Sequence, residues 1–217
     1  MLWDAPMGTC PACWHSGTVV PLGRRPYAAI DHVPAVATAR DLVKAAWSVL
    51  GSRAYPALVF GRGCFGVVVG PPGSGKSTMS HKLQAGMPGP HVYVSFEEGV
   101  GPTVSQRLSR VGVHGADYVV IGSASVDQIT SIARDLKART MCIDSMQRSL
   151  FTAREARHLC NVLGLDVLLG VSQVNAEGRA AGRRELEHEA DLVVSVDAMH
   201  WRVDKSRYAP VGLEGEV

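Results

Sequence analysis

Six short apolar runs punctuate the chain: VVVG (67–70), VYVSF (92–96), YVVIG (118–122), MCID (141–144), VLLGV (167–171) and LVVSV (192–196). Their brevity and unbroken hydrophobicity fit strands covered on both faces. Between them KSTMSHKLQAG, TVSQRLSRVG, SVDQITSIARDLKA and TAREARHLCNVLG carry apolar positions three and four apart, the spacing of helices with one buried face. This alternation predicts an α/β fold with a mostly parallel sheet and crossover helices. ARDLVKAAWSVLG (39–51) reads as one more helix before the sheet, ended by Gly51. Residues 1–33 follow neither period and are rich in Pro, Gly and Cys, so they read as a short appendage to a core spanning 34–217.

Composition narrows this picture. A chain of 217 residues, 46% of them hydrophobic, can bury one sizeable core but not two large ones. Its 22 Lys and Arg against 20 Asp and Glu leave a formal charge of +2, so any surface for nucleic acid has to be local. No stretch approaches the roughly 18 consecutive apolar residues of a membrane span, and the first 30 residues lack the order of a signal peptide. A cytoplasmic protein that does not enter membranes is expected. Of the five cysteines, Cys64, Cys142 and Cys160 sit in apolar surroundings, where buried free thiols are ordinary; a disulfide framework is not expected.

The chemistry begins directly after the first run. Gly70, Pro71, Pro72, Gly73, Ser74, Gly75, Lys76 and Ser77, followed by Thr78, match the G-x-x-x-x-G-K-[ST] phosphate loop in the strand-then-helix setting that the loop requires. Its glycines turn backbone N–H groups inward around phosphate oxygens, and the helix N-terminus adds donors and a positive dipole end. Lys76 is then placed for the β and γ phosphates and the Ser77 hydroxyl for magnesium. Asp144 ends the MCID run, where a lone carboxylate suits a direct or indirect magnesium partner; a strand-ending Asp also forms turns.

VYVSFEEG ends in Glu97 and Glu98. Strands beside a phosphate loop deliver their C-terminal ends to one crevice, where a carboxylate can orient or deprotonate water, although two solvated loop charges read the same way. LLGVSQVN ends in Ser172 and Gln173, an amide placed either to sense a γ-phosphate or simply to cap a strand. The next segment, AEGRAAGRRELEHEA, carries Arg179, Arg183 and Arg184, a local basic stretch suited to nucleic-acid backbone contacts and balanced at once by Glu185, Glu187 and Glu189. Near the end DKSRYAPVG holds Lys205 and Arg207, which by themselves read as a solvated turn.

Taken in order, GPPGSGKST, VYVSFEEG, MCIDS, GRAAGRRELEHEADLVV and DKSRYAPVG resemble the RadA/Sms branch of the RecA-like ATPases over roughly residues 50–217. The resemblance implies a RecA-like core that binds ATP with magnesium and hydrolyses it while acting on single-stranded DNA in recombination or repair. It implies Glu97 rather than Glu98 as the catalytic carboxylate. It also implies that Lys205 and Arg207 act across a subunit boundary on a neighbour's nucleotide, in a ring or filament of copies, hexameric if a ring. Position 206 is Ser and position 209 is Ala where that family's signature has Asn and Gly, and SMQRSLF is shorter than its first DNA-facing loop. Cys10 and Cys13 resemble one half of that family's zinc ribbon, with His15 and His32 as further candidate ligands, and two free thiols are an equal reading. The other half and a Lon-like C-terminal domain have no counterpart in these residues. Two other classes stay open: a RecA-core protein that binds or anneals single strands with ATP only setting assembly, and a regulatory ATPase that touches no DNA.

Overall fold

The computed structural model describes residues 49–149, 151–174 and 183–217, with the side chains of Arg183 and Arg184 excepted. It opens with β1 (Val49–Gly51) and β2 (Val59–Gly61), a small antiparallel pair. This corrects one expectation. The helix expected over 39–51 does not reach its predicted end, because Val49, Leu50 and Gly51 pair with Gly61, Phe60 and Val59. Helical spacing over so few residues yields to tertiary pairing, which buries Leu50 and Phe60 together. Residues 39–48 and the 33/34 boundary lie outside the described residues.

All six predicted strands and all four predicted helices between them form. β3 (Cys64–Gly70) leads into α1 (Lys76–Ala85), β4 (His91–Ser95), α2 (Pro102–Arg110) and β5 (Tyr118–Ile121). Then come α3 (Val126–Asp135), β6 (Thr140–Asp144), α4 (Ala153–Val162), β7 (Val167–Gln173), α5 (Arg183–Glu189) and β8 (Leu192–Asp197). β9 (His200–Ser206) and β10 (Glu214–Glu216) complete the order. Helix starts follow sequence chemistry. Ser125 with Gln128, and Thr152 with Glu155, form reciprocal capping boxes that satisfy the first N–H groups of α3 and α4, and α2 begins on Pro102, whose missing N–H costs nothing at a first turn.

The main sheet has the order β10-β9-β8-β3-β7-β6-β4-β5. From β8 to β5 every pairing is parallel, while β9 and β10 extend the sheet antiparallel. Alternate side chains enter the two cores. Phe65, Val67, Val92, Val94, Met141 and Ile143 pack under α3 and α4, and Val68, Tyr93 and Cys142 pack under α1 with Met79 and Leu83. Each fully buried apolar side chain contributes about 1.5–3 kcal/mol, so α1 is pinned to the sheet at the point where the phosphate loop enters it. Among the described residues no helix is long and apolar enough to cross a membrane.

Candidate nucleotide site

The loop 71–75 joins the C-terminal end of β3 to α1 at the centre of the parallel sheet. Glycine is required at both its ends. A Cβ on Gly70 would lie 2.1 Å from the Val196 carbonyl oxygen, and Gly75 takes φ 107° while capping α1, a conformation that side chains disfavour. A Cβ on Gly75 would also lie 2.6 Å from Met199 Sδ. Met199 sits in the β8–β9 turn, and its N–H donates to the Ser74 carbonyl at 2.9 Å. A second hairpin therefore braces the loop from the side.

Lys76 Nζ donates to the Pro71 carbonyl at 2.6 Å, folding the ammonium over the loop that phosphates would fill. Burial lowers the Lys76 pKa, opposed by the charges of Asp144 and Glu97, so the site is arranged around a cation facing two carboxylates. Ser77, half-buried in the first turn of α1, hydrogen-bonds Asp144 at the end of β6. Burial raises the Asp144 pKa, while hydrogen bonds from Tyr93 and Ser77 lower it. The Asp144–Ser145 peptide is cis. Pro71, Pro72 and Gly73 form the outer bend of the loop, the buried Ser74 hydroxyl has no partner, and Thr78 is half-buried behind Ser77.

These residues fit a nucleotide with magnesium. The loop supplies N–H groups at a helix start, an orphaned hydroxyl and a lysine, and a hydroxyl beside a carboxylate is a hard oxygen donor set for magnesium. Among the described residues no cluster of three or more His, Cys, Asp or Glu could hold a metal; a magnesium ion bound through one hydroxyl and the phosphates does not need one. Cys10, Cys13, His15 and His32 lie outside the described residues, and nothing found supports zinc.

The two adjacent carboxylates after β4 separate clearly. Glu98 is held in a two-pronged pair by Arg107 of α2, at 2.7 Å from both guanidinium nitrogens. Glu97 instead receives Gln173 Nε2 on both oxygens, at 2.7 and 2.8 Å. Gln173 ends β7 directly opposite Gly70, and its own carbonyl accepts from Gln147 Nε2 at 2.9 Å. Here the structure corrects the route, not the destination. β4 does not neighbour β3, because β7 and β6 lie between them; Glu97 reaches the crevice by bonding to Gln173 across that gap.

Lys205 and Arg207 are elsewhere. β9 runs antiparallel to β8, so Lys205 stands opposite Val193, at the sheet edge away from the loop. Lys205 Nζ donates to the carbonyls of Glu187 at 2.6 Å and His188 at 3.1 Å, capping α5. Arg207 Nε lies 3.1 Å from Asp191 Oδ1. The structure thus brings together Lys76, Ser77, Asp144, Glu97 and Gln173 and leaves Lys205 and Arg207 apart from them in the same chain. Arg179 lies outside the described residues, and Arg183 and Arg184 open α5.

Several contributors escaped the sequence reading. Arg107, which disposes of Glu98, is one basic residue on a helix with a polar exterior, and nothing local marks it. Asp191, 4% exposed, accepts from Phe65 N–H at 3.0 Å and also pairs with Arg157 at 3.1 Å; the only signal was an acid heading an apolar run. Tyr93 was legible in principle, since HVYVS alternates polar and apolar positions as a two-faced strand does.

No family model matches the chain. Among curated proteins it is similar to the DNA repair protein RadA of Pseudomonas aeruginosa, 30% identical over 146 residues, covering 59% of this chain and 32% of that protein. It is similar to RadA of Haemophilus influenzae, 28% identical over 141 residues, covering 58% of this chain and 31% of the relative. It is also similar to RadA of Aquifex aeolicus, 24% identical over 169 residues, covering 67% of this chain and 38% of the relative. The chain spans about a third of the length of these relatives. Among solved structures one ATPase domain superposes with a TM-score of 0.54 at 16% identity, covering 70% of this chain and 81% of that one, a likeness of fold. Phosphate loop, strand order and these matches together relate the chain to the RadA-like branch of the RecA-type ATPases.

Proposed function

We propose that the chain binds ATP with magnesium at the C-terminal edge of β3, hydrolyses it, and couples hydrolysis to single-stranded DNA in repair or recombination. One observation carries the reading: Lys76, Ser77, Asp144, Glu97 and Gln173, from four separate segments, converge on one glycine-rich loop. Lys76 exchanges the Pro71 carbonyl for β- and γ-phosphate oxygens. Ser77 and Asp144 would hold magnesium, which supplies charge neutralisation on those oxygens. Gln173 fixes both oxygens of Glu97, leaving the carboxylate aimed at the crevice to take a proton from water as the water oxygen bonds to the γ-phosphorus and the bond to the β-phosphate oxygen breaks.

Lys205 and Arg207 would serve the nucleotide of an adjacent copy, stabilising charge on its γ-phosphate as trans-acting arginines do. Each site then needs two chains in head-to-tail contact, which closes into a ring or extends as a filament. Arg179, Arg183 and Arg184 would face the DNA backbone. The test is phosphate release at saturating MgATP with and without a single-stranded oligonucleotide. A several-fold rise is expected; tight DNA binding with negligible turnover would favour an annealing protein, and indifference to DNA a regulatory ATPase. Replacing Arg183 and Arg184 by Ala should reduce the salt dependence of DNA binding by about 0.7 per lost phosphate contact, and an unchanged slope would move the DNA surface elsewhere.

A further inference from the structure

We propose that Tyr93 is a positioning residue for the metal carboxylate of this site, its phenol locking Asp144 into the orientation that magnesium requires. The inference rests on the nucleotide reading above. On β4, Val92 and Val94 enter one core while His91, Tyr93 and Ser95 face α1 and the matching face of β6. Tyr93 is fully buried there, and its hydroxyl donates to Asp144 Oδ2 at 2.6 Å. Asp144 therefore has two donors: Ser77 from the first turn of α1, and Tyr93 from beneath.

The phenol cannot swing away. Its ring stacks on His81 of α1, with centroids 3.8 Å apart and planes 21° apart. His81 is itself held, its Nδ1 lying 2.7 Å from the Tyr118 hydroxyl. Tyr118 donates its proton to Gln84 Oε1 at 2.9 Å, and Gln84 Nε2 donates to the Val92 carbonyl at 2.9 Å. With the Tyr118 proton committed to Gln84, the His81 Nδ1 is the donor in its own bond. Beside a carboxylate oxygen, which has no proton of its own to give when ionised, the Tyr93 hydroxyl is the donor of their bond. A buried tyrosine needs one acceptor; this one takes it from the carboxylate beside Ser77 rather than from a main-chain carbonyl, as partners that orient metal-binding groups do.

The test is Tyr93→Phe, which keeps the ring and its stack and removes one donor. A fluorescent ATP analogue is titrated in EDTA and then across magnesium concentrations, with thermal unfolding in EDTA as the gauge of folding. Affinity in EDTA should stay within about twofold of wild type while the magnesium half-saturation point rises about tenfold or more. In an Asp144→Asn background, adding Tyr93→Phe should shift nothing further, since both act on one interaction. Superimposable magnesium curves for Tyr93→Phe and wild type would overturn the inference, as would an equal loss with and without magnesium, the mark of a merely structural role. A wild-type protein whose nucleotide binding ignores magnesium would overturn the nucleotide reading and this inference with it.

Discussion

Arg207→Ala separates a catalytic role from a structural one because the two carry different magnitudes. The Arg207 N–H bonds to the Asp191 carbonyl, while Gly70 lies beside Val196 at the other end of β8. At about 3.3 Å per residue, that sets Arg207 about 16 Å from the loop along the sheet, with about 10 Å more across two strand spacings. An extended arginine side chain spans about 7 Å, so within one chain it cannot touch the nucleotide. Its local contribution is small, because the side chain is 60% exposed and pairs with an Asp191 that keeps other partners; such pairs contribute about 0–1 kcal/mol, a shift of at most about 4 °C in Tm. As a trans-acting arginine it would contribute about 10³-fold or more in kcat, roughly 4 kcal/mol.

The expected result is therefore a variant that melts nearly as wild type, binds ATP, and releases phosphate about a thousandfold more slowly. Mixed with Glu97→Gln protein in equal amounts, it should regain activity at the seams that combine an intact Glu97 with an intact Arg207, about a quarter of them in a head-to-tail ring. Wild-type turnover by Arg207→Ala alone would refute the reasoning. So would two inactive variants whose mixture, shown to co-assemble, stays inactive.

Asp191→Asn should be costly where Arg207→Ala is not. It removes the carboxylate paired with Arg207 and the nearer of the two carboxylates beside Arg157, which keeps Glu189 at 3.8 Å, and it changes the acceptor that the Phe65 N–H uses, a loss on the order of 3 kcal/mol for a broken buried pair; denaturant unfolding reads it, and a change under about 1 kcal/mol would remove Asp191 as the clamp on that edge. His81 contributes to the acid limb of stability. Burial holds its folded pKa near 3, below the usual 6.5, so above pH 6.5 it is neutral in both states and costs nothing. As pH falls from 6.5 towards 3 the unfolded chain alone gains the proton, and stability drops by an amount on the order of 4–5 kcal/mol. His91 shifts in the same direction, also through burial. His81→Phe should flatten that limb in unfolding curves taken between about pH 7 and 4, and an unchanged slope would show that His81 is not buried as described.

What the sequence disclosed was whatever depends on near neighbours. The phosphate loop needs glycines, a lysine and a hydroxyl at fixed offsets, and α3 and α4 announce themselves through Ser125 with Gln128 and Thr152 with Glu155. Strand order is a different kind of fact. Consecutive strands tend to be neighbours, yet β7 and β6 insert between β3 and β4, and only then does it matter that Glu97 and Gln173 are 76 residues apart and touching. Short edge elements were hardest. Val49–Gly51 has no preference strong enough to outweigh its pairing with β2, and β9 alternates only briefly, with Trp201 and Val203 buried between His200, Arg202 and Asp204, so it forms no apolar run of the kind that marks the central strands. The division of labour between Glu97 and Glu98 depends on Arg107, and no spacing rule connects that residue to them.

The strand that leads to Lys205 and Arg207 begins at the phosphate loop of its own chain. Met199, one residue before β9, bonds the Ser74 carbonyl and presses on Gly75, while at the far end of the strand Lys205 caps α5 and Arg207, just past it, pairs with Asp191. β9 is paired along its length to β8 and at its start to β10, so it cannot flex freely between those ends. Ala198 and Met199 both take positive φ, 45° and 66°, in the connecting turn, as a two-residue hairpin of matching twist demands even without glycine. The strained turn is held by the loop contact and the rigid strand together. If Lys205 and Arg207 serve a neighbour's nucleotide, as proposed above, β9 ties those cations through one paired strand to the phosphate loop of their own chain.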